Sequence, residues 1–163
     1  KLYSVNDAFY LIGGIFFLGT SFSLFSLLRS TGLTYVIYLL LISMITDTYA
    51  YITGMLIGRH KLLPDVSPKK TWEGSIGGTV MGTIVGVTYM TVIDPFVSPV
   101  GIILTTVFLS IVGQFGDLVF SSIKRYFGKK DFSNIMPGHG GILDRLDSVI
   151  FIGLAFMFFM NIL

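Results

Sequence analysis

Apolar residues gather into five long stretches, roughly 8–28, 33–58, 74–93, 100–121 and 146–163, each close to the length a helix needs to cross a hydrocarbon core. The stretches lack strict apolar–polar alternation and are too long for barrel strands, which sets a closed β-barrel aside. An all-α polytopic membrane protein is predicted, with about five transmembrane helices and two longer connections. The third stretch carries Gly74, Gly78, Gly82 and Gly86 at four-residue spacing, on one helix face where another backbone can come close. Tight helix packing is the favoured reading, and a cavity lining is the alternative.

The polar positions lie mainly between these stretches. With the N-terminus on the cytoplasmic side, ten of the 11 Lys and Arg residues fall inside and only Arg29 outside, as retained positive charge requires. Residues 59–73 and 122–145 hold nearly all of that charge, whereas "RSTG" and "DPFVSP" are short turns. The working end is therefore expected to face the cytoplasm. A mean hydropathy of +0.81 with 12% charged residues agrees with lipid as the main solvent. There is no Cys, which excludes disulfides and thiolate metal sites. The chain starts at Lys1 without an initiator Met. Residues 1–163 are read as a single transmembrane catalytic domain, an N-terminally truncated fragment of a longer chain.

An ionisable group inside a span is a functional hypothesis by default, because lipid tolerates it only when it is paired or wetted. Asp47, in "SMITDTYAYITG", sits near the middle of the second stretch among Thr46, Thr48, Tyr49, Tyr51 and Thr53. Two readings stay open for it: a wet polar pocket reaching that depth, or a protonated Asp hydrogen-bonded to a neighbouring helix. Asp117 lies one turn inside the cytoplasmic end of the fourth stretch. Asp144 and Asp147 open the fifth and, three residues apart, share a helix face. Antiparallel neighbours bring these three carboxylates to one depth. Hard oxygen ligands at a membrane surface suit Mg²⁺, although carboxylates paired with Arg145 or Lys124 would look similar.

Around the carboxylates the connections read as a phosphate site. "VSPKKTWEG" offers Ser67, Lys69, Lys70 and Thr71 just before a helix N-terminus near Trp72 and Glu73. "KRYFGKKD" adds Lys124, Arg125, Lys129 and Lys130, and the glycines of "PGHGG" let backbone N–H groups approach a ligand. Attraction to anionic headgroups would explain the Lys and Arg alone, but not the Asp, Gly and His among them. His139 is read as a phosphate hydrogen-bond donor, since His60 is remote in sequence. No Ser or Thr has a base and an orienting acid at readable spacing. Metal-assisted phosphoryl or nucleotidyl transfer fits this inventory.

The run "SSIKRYFGKKDFSNIMPGHGGILDRLDS", 121–148, closely resembles the signature of the phosphatidate cytidylyltransferases, also called CDP-diacylglycerol synthases. It is met by Ser122, Lys124, Arg125, Lys130, Asp131, Pro137 to Gly141, Asp144, Arg145 and Asp147, with "SPKKTWEG" and "DTYAY" as further resembling segments. Ser133 stands where that family often has Gly, and Tyr49 where it often has a smaller residue. The resemblance implies transfer from CTP to phosphatidate, giving CDP-diacylglycerol and pyrophosphate, with Mg²⁺ required and room for a second, monovalent cation such as K⁺. It implies Asp117 and Asp144 as metal ligands, joined in catalysis by Lys124, Arg125 and Asp147. Substrate binding falls to Asp47, Ser67, Lys69, Lys70, Thr71, Ser122, Lys130, Asp131, His139, Gly140, Gly141 and Arg145. The expected setting is a bilayer, a bacterial plasma membrane, with the active site toward the cytoplasm. No nucleic acid partner is expected. A homodimer is drawn from the glycine stripe and the family. The rival expectations are a CTP-dependent kinase for polyprenol-type lipids, a non-enzymatic ion pathway through Asp47, Asp117 and Asp144, and an inactive membrane piece.

Overall fold

The computed structural model describes residues 4–96, 98–133, 135 and 140–159. It contains α1 (Val5–Thr31), α2 (Leu33–Ile57), a hairpin of β1 (Lys61–Leu63) and β2 (Ser67–Thr71), α3 (Trp72–Ile93), α4 (Pro99–Tyr126) and α5 (Leu143–Phe159). Among the described residues four helices, α1 to α4, are long and apolar enough to cross a membrane. The fifth predicted span appears as α5, described over 17 residues. The chain is an all-α polytopic membrane protein to which one small hairpin has been added.

Local chemistry sets the boundaries. Ser4 and Asp7 form a reciprocal capping box at the start of α1, and Ser98 followed by Pro99 opens α4. The fourth helix runs beyond the predicted apolar stretch to Tyr126, with Lys124 and Arg125 in its last turn, where cations complement the exposed carbonyls. Between α2 and α3 the sequence alone gave only a charged connection. There the Val66 amide donates to the Leu63 carbonyl across Pro64 and Asp65, residues suited to the corners of a turn, and the flanking segments pair antiparallel. Glu73 closes the base of the hairpin by accepting from the backbone N–H groups of Arg59 and His60, at 3.1 and 3.2 Å, while its other oxygen meets His60 Nδ1 at 2.6 Å.

The glycine stripe is spent inside the chain. Gly74, Gly78, Gly82 and Gly86 are buried, and α2 lies directly against them. A Cβ at Gly74 would stand 2.5 Å from the Ala50 carbonyl oxygen, and one at Gly78 would stand 2.5 Å from that of Thr46. A Cβ at Gly82 would collide with Thr46 Oγ1. The tight-packing reading of the stripe describes this contact, and the partner is α2 rather than a second copy. The stripe therefore gives no ground for a homodimer.

Burial divides the bundle along its length. Leu28, Tyr38, Leu39, Ile42, Met90, Ile102, Leu109, Ile152 and Phe156 form the apolar core in the half remote from the hairpin. Hydroxyl pairs stitch α2 to α4 from this core toward the hairpin: Tyr38 with Thr106 at 2.6 Å, then Thr46 with Ser110 at 2.8 Å. Each satisfies polar groups that lipid would leave unpaired. On α1 most side chains are exposed, including Phe9, Ile12, Ile15 and Phe16, a surface matched to hydrocarbon.

Gly78→Ala is expected to lower stability by about 1–3 kcal/mol through overpacking against α2. Gly19→Ala, where an added Cβ meets nothing within 4 Å among the described residues, is expected to leave it unchanged or raised. Thermal unfolding of both variants in detergent checks the contrast.

Candidate functional site

In the polar half, a cavity of about 380 Å³ opens among four helices and the hairpin. Asp47, Ala50 and Tyr51 of α2 form one wall; Leu62, Lys69, Lys70 and Thr71 of the hairpin form the next. Ser75 comes from α3, and Gln114, Asp117 and Lys124 come from α4. Asp131, Asp144, Arg145 and Asp147 complete the lining from the last connection and α5.

Each charged group is held by its element. Thr71 ends β2 and caps α3, its hydroxyl accepting from the Gly74 N–H at 3.1 Å, and this cap fixes the strand that carries Lys70. Lys70 Nζ is buried and lies 2.5 Å from Asp117 Oδ2. The other Asp117 oxygen accepts from the Ser121 hydroxyl one turn later, at 3.1 Å. Deeper in the bundle, Asp47 Oδ2 accepts from the Ser148 hydroxyl at 3.3 Å, a link between α2 and α5. Asp47 thus bonds to a neighbouring helix and also lines the cavity. Asp147 is 8% exposed and accepts from the Ser148 N–H at 2.8 Å.

Among the described residues Asp144 is the most fully engaged carboxylate of the cavity. Its Oδ1 receives the Lys124 ammonium at 2.8 Å, and its Oδ2 accepts from the backbone N–H groups of Phe132 and Gly141, both at 2.9 Å. Gly140, at φ +80°, turns the chain so that the next N–H faces the carboxylate. Lys124 also lies over the Phe132 ring, 5.4 Å from its centroid. One carboxylate therefore ties α4, the last connection and the start of α5 together. Of the partners foreseen for the acidic cluster, Lys124 is found on Asp144, while the partner of Asp117 is Lys70.

The cavity brings together Asp47, Lys69, Lys70, Thr71, Asp117, Lys124, Asp131, Asp144, Arg145 and Asp147, with Gly140 and Gly141 beside Asp144. Ser67, Ser122, Arg125 and Lys130 do not line it. Ser122 donates to the Leu118 carbonyl of its own helix. Arg125 donates to the carbonyls of Val66 and Lys129, bracing the end of α4 against the hairpin turn. Ser67 stands at the outer start of β2, and Lys130 lies on a separate shallow surface with Lys129 and Asp131. His139, Pro137 and Gly138 lie outside the described residues.

Sequence reasoning missed Gln114, Ser75 and Leu62 as lining residues, and took Tyr51 only as a neighbour of Asp47. Gln114 is 7% exposed, with its amide donating to Thr79 Oγ1 at 2.8 Å and to the Ser75 carbonyl at 3.3 Å. An uncharged amide one turn before Asp117, inside an apolar stretch, was the available signal.

The donor set suits a hard cation. Among the described residues no three His, Asp or Glu groups converge as a metal cage, so a metal here would rest on one or two carboxylates. Mg²⁺ is a cation that can bind through so few protein ligands, since it keeps waters and takes others from phosphates. Asp117 and Asp144 are the candidate carboxylates, and each is already paired with a lysine that a metal ion would have to displace or share.

Asp144→Asn is expected to cost about 3 kcal/mol, because Lys124 would stay buried without its counter-charge. Asp117→Asn should cost less, since the Asp117 side chain is 25% exposed against 7% for Asp144. Unfolding midpoints of the two variants in detergent rank these effects.

A model of the cytidylyltransferase family matches residues 2–163, a range that takes in all five helices, the hairpin and every lining residue of the cavity. The chain is 46% identical over 150 residues to a phosphatidate cytidylyltransferase of Staphylococcus haemolyticus (strain JCSC1435) and 44% identical over 150 residues to that of Staphylococcus saprophyticus. Identity to the protein of the same name from Staphylococcus aureus (strain COL) is 46% over 151 residues. Each match covers 92% of this chain and 58% of the relative, so the chain spans little more than half the length of these curated relatives. With the whole helical bundle and its acidic, lysine-lined cavity inside the matched range, the chain belongs to the cytidylyltransferase family.

Proposed function

We propose that the chain carries out cytidylyl transfer from CTP to phosphatidate, giving CDP-diacylglycerol and pyrophosphate, at the cytoplasmic side of a bacterial plasma membrane. The observation that carries this reading is the cavity in which two carboxylate–lysine pairs, Asp117 with Lys70 and Asp144 with Lys124, face one space. Family membership narrows the transferred group to cytidylyl, and the names of the relatives supply the lipid acceptor.

The nucleophile comes with the substrate. A phosphatidate oxygen is largely ionised near neutral pH, so the chain need supply no strong base. The obstacle is repulsion between that anion and the α-phosphate of CTP, and the remedy is fixed positive charge with in-line alignment. Lys69, Lys70, Lys124 and Arg145 supply the charge from three elements, which lets them hold two anionic groups at different angles. Mg²⁺ held by Asp117 and Asp144 would supply further neutralisation of the triphosphate, with a monovalent cation such as K⁺ as a second charge. Asp47 and Asp147 also line the cavity, and Gln114 braces α4 against α3 through Ser75 and Thr79. On the lipid side, Tyr51 is 63% exposed on a spanning helix while also lining the cavity, a position from which a headgroup can enter sideways.

Incubation with radiolabelled CTP, phosphatidate and Mg²⁺ in detergent micelles should yield labelled CDP-diacylglycerol and pyrophosphate. Asp117→Asn should reduce that rate by about 10²–10³-fold or more, the scale of losing one electrostatic contact to the transition state. CDP released with a phosphorylated lipid alcohol would instead identify a kinase. Near-normal turnover of Asp117→Asn would remove that residue from the chemistry.

A further inference from the structure

The two carboxylates that fit the metal already hold cations from within the chain. Lys70 reaches Asp117 from the hairpin, and Lys124 reaches Asp144 from α4. Neither pair resembles a loose surface bridge: the side chains are 24% and 25% exposed in the first and 10% and 7% in the second. The pairs also differ from each other. Asp144 has three partners, Lys124 on one oxygen and two backbone N–H groups on the other. Among the described residues Asp117 has one hydroxyl on Oδ1 and Lys70 alone on Oδ2, so one lysine stands between this carboxylate and an incoming cation.

We propose that Lys70 is a resident counter-ion of Asp117 that competes with the divalent metal and yields the carboxylate only when nucleotide phosphates arrive to receive its ammonium. The inference rests on the cytidylyltransferase reading and adds an order to it. A bare divalent cation must displace Lys70 and leave a buried ammonium without a partner, which opposes binding. A metal–triphosphate complex brings the replacement partner along, because its phosphate oxygens accept the ammonium as the metal takes the carboxylate. Metal and nucleotide then bind with positive coupling, and by linkage each strengthens the other equally. Lys124 is held differently, since Asp144 would keep its two backbone donors after any exchange and so stay in place.

The test is Mn²⁺ binding to the full chain in detergent, read from the free-Mn²⁺ electron paramagnetic resonance signal, with and without a non-hydrolysable CTP analogue. Lys70→Met is expected to bind Mn²⁺ without nucleotide about tenfold more tightly than wild type, and to lose most of the nucleotide-dependent gain. Lys70→Arg, which keeps the charge, should stay close to wild type. Adding Asp117→Asn to Lys70→Met should erase the gain, placing it at that carboxylate. Lys70→Gln gives a second neutral variant should Met disturb the hairpin. Equal or weaker Mn²⁺ affinity in both neutral variants would overturn the proposal, as would a gain that survives Asp117→Asn. Failure of the cytidylyltransferase reading shows separately, as absence of CDP-diacylglycerol, whatever the Mn²⁺ titrations give.

Discussion

The backbone-to-backbone contact between α2 and α3 is the constraint on which the rest of the structure depends. Lipid offers two helices no hydrophobic reward for meeting, so they associate through close packing, and a glycine face is the means used here. That contact fixes the distance between the end of α2 and the start of α3, which is the distance the hairpin must span. The hairpin in turn carries Lys70 to Asp117. A side chain added midway along α3 would therefore be felt in the ion pair at its end.

Two kinds of polar group are built into this bundle, and they are treated differently. Hydroxyls and amides, such as Thr46, Ser110 and Gln114, find a neutral partner on the next helix and disappear into the packing. Carboxylates gather instead at one cavity, where cations from the hairpin, α4 and α5 share their field. The apolar core in the opposite half supplies the rigidity that keeps this charged half open.

How much of this could be read from the sequence follows from what lipid makes expensive. Asp47 and Asp117 stood out because charges in apolar stretches demand a reason, Asp144 and Asp147 because they share a face where the fifth stretch opens, and all four line one cavity. The helices were legible from length and hydropathy, and so was the small-residue face of α3. Its partner was not, because a glycine stripe carries no mark of which surface it meets. The hairpin was hidden too: of the residues of β2, Ser67, Pro68, Lys69 and Lys70 have little strand preference. They pair because Glu73 pins the base and Pro64 and Asp65 turn the chain. Gln114 went unread because a neutral amide gives a weaker signal than a charge.

Arg125 shows what such hidden geometry does to the meaning of a motif. By position it belongs among the catalytic cations, yet its guanidinium reaches the Val66 carbonyl at the hairpin turn and the Lys129 carbonyl after α4. The helix that holds Asp117 and Lys124 is thereby spaced from the strand that holds Lys70. Arg125 acts as a gauge block, setting the aperture of a mouth it does not itself line. The same logic makes lysine a poor replacement there, since one ammonium on a flexible stem cannot reproduce a planar fork that spans two carbonyls.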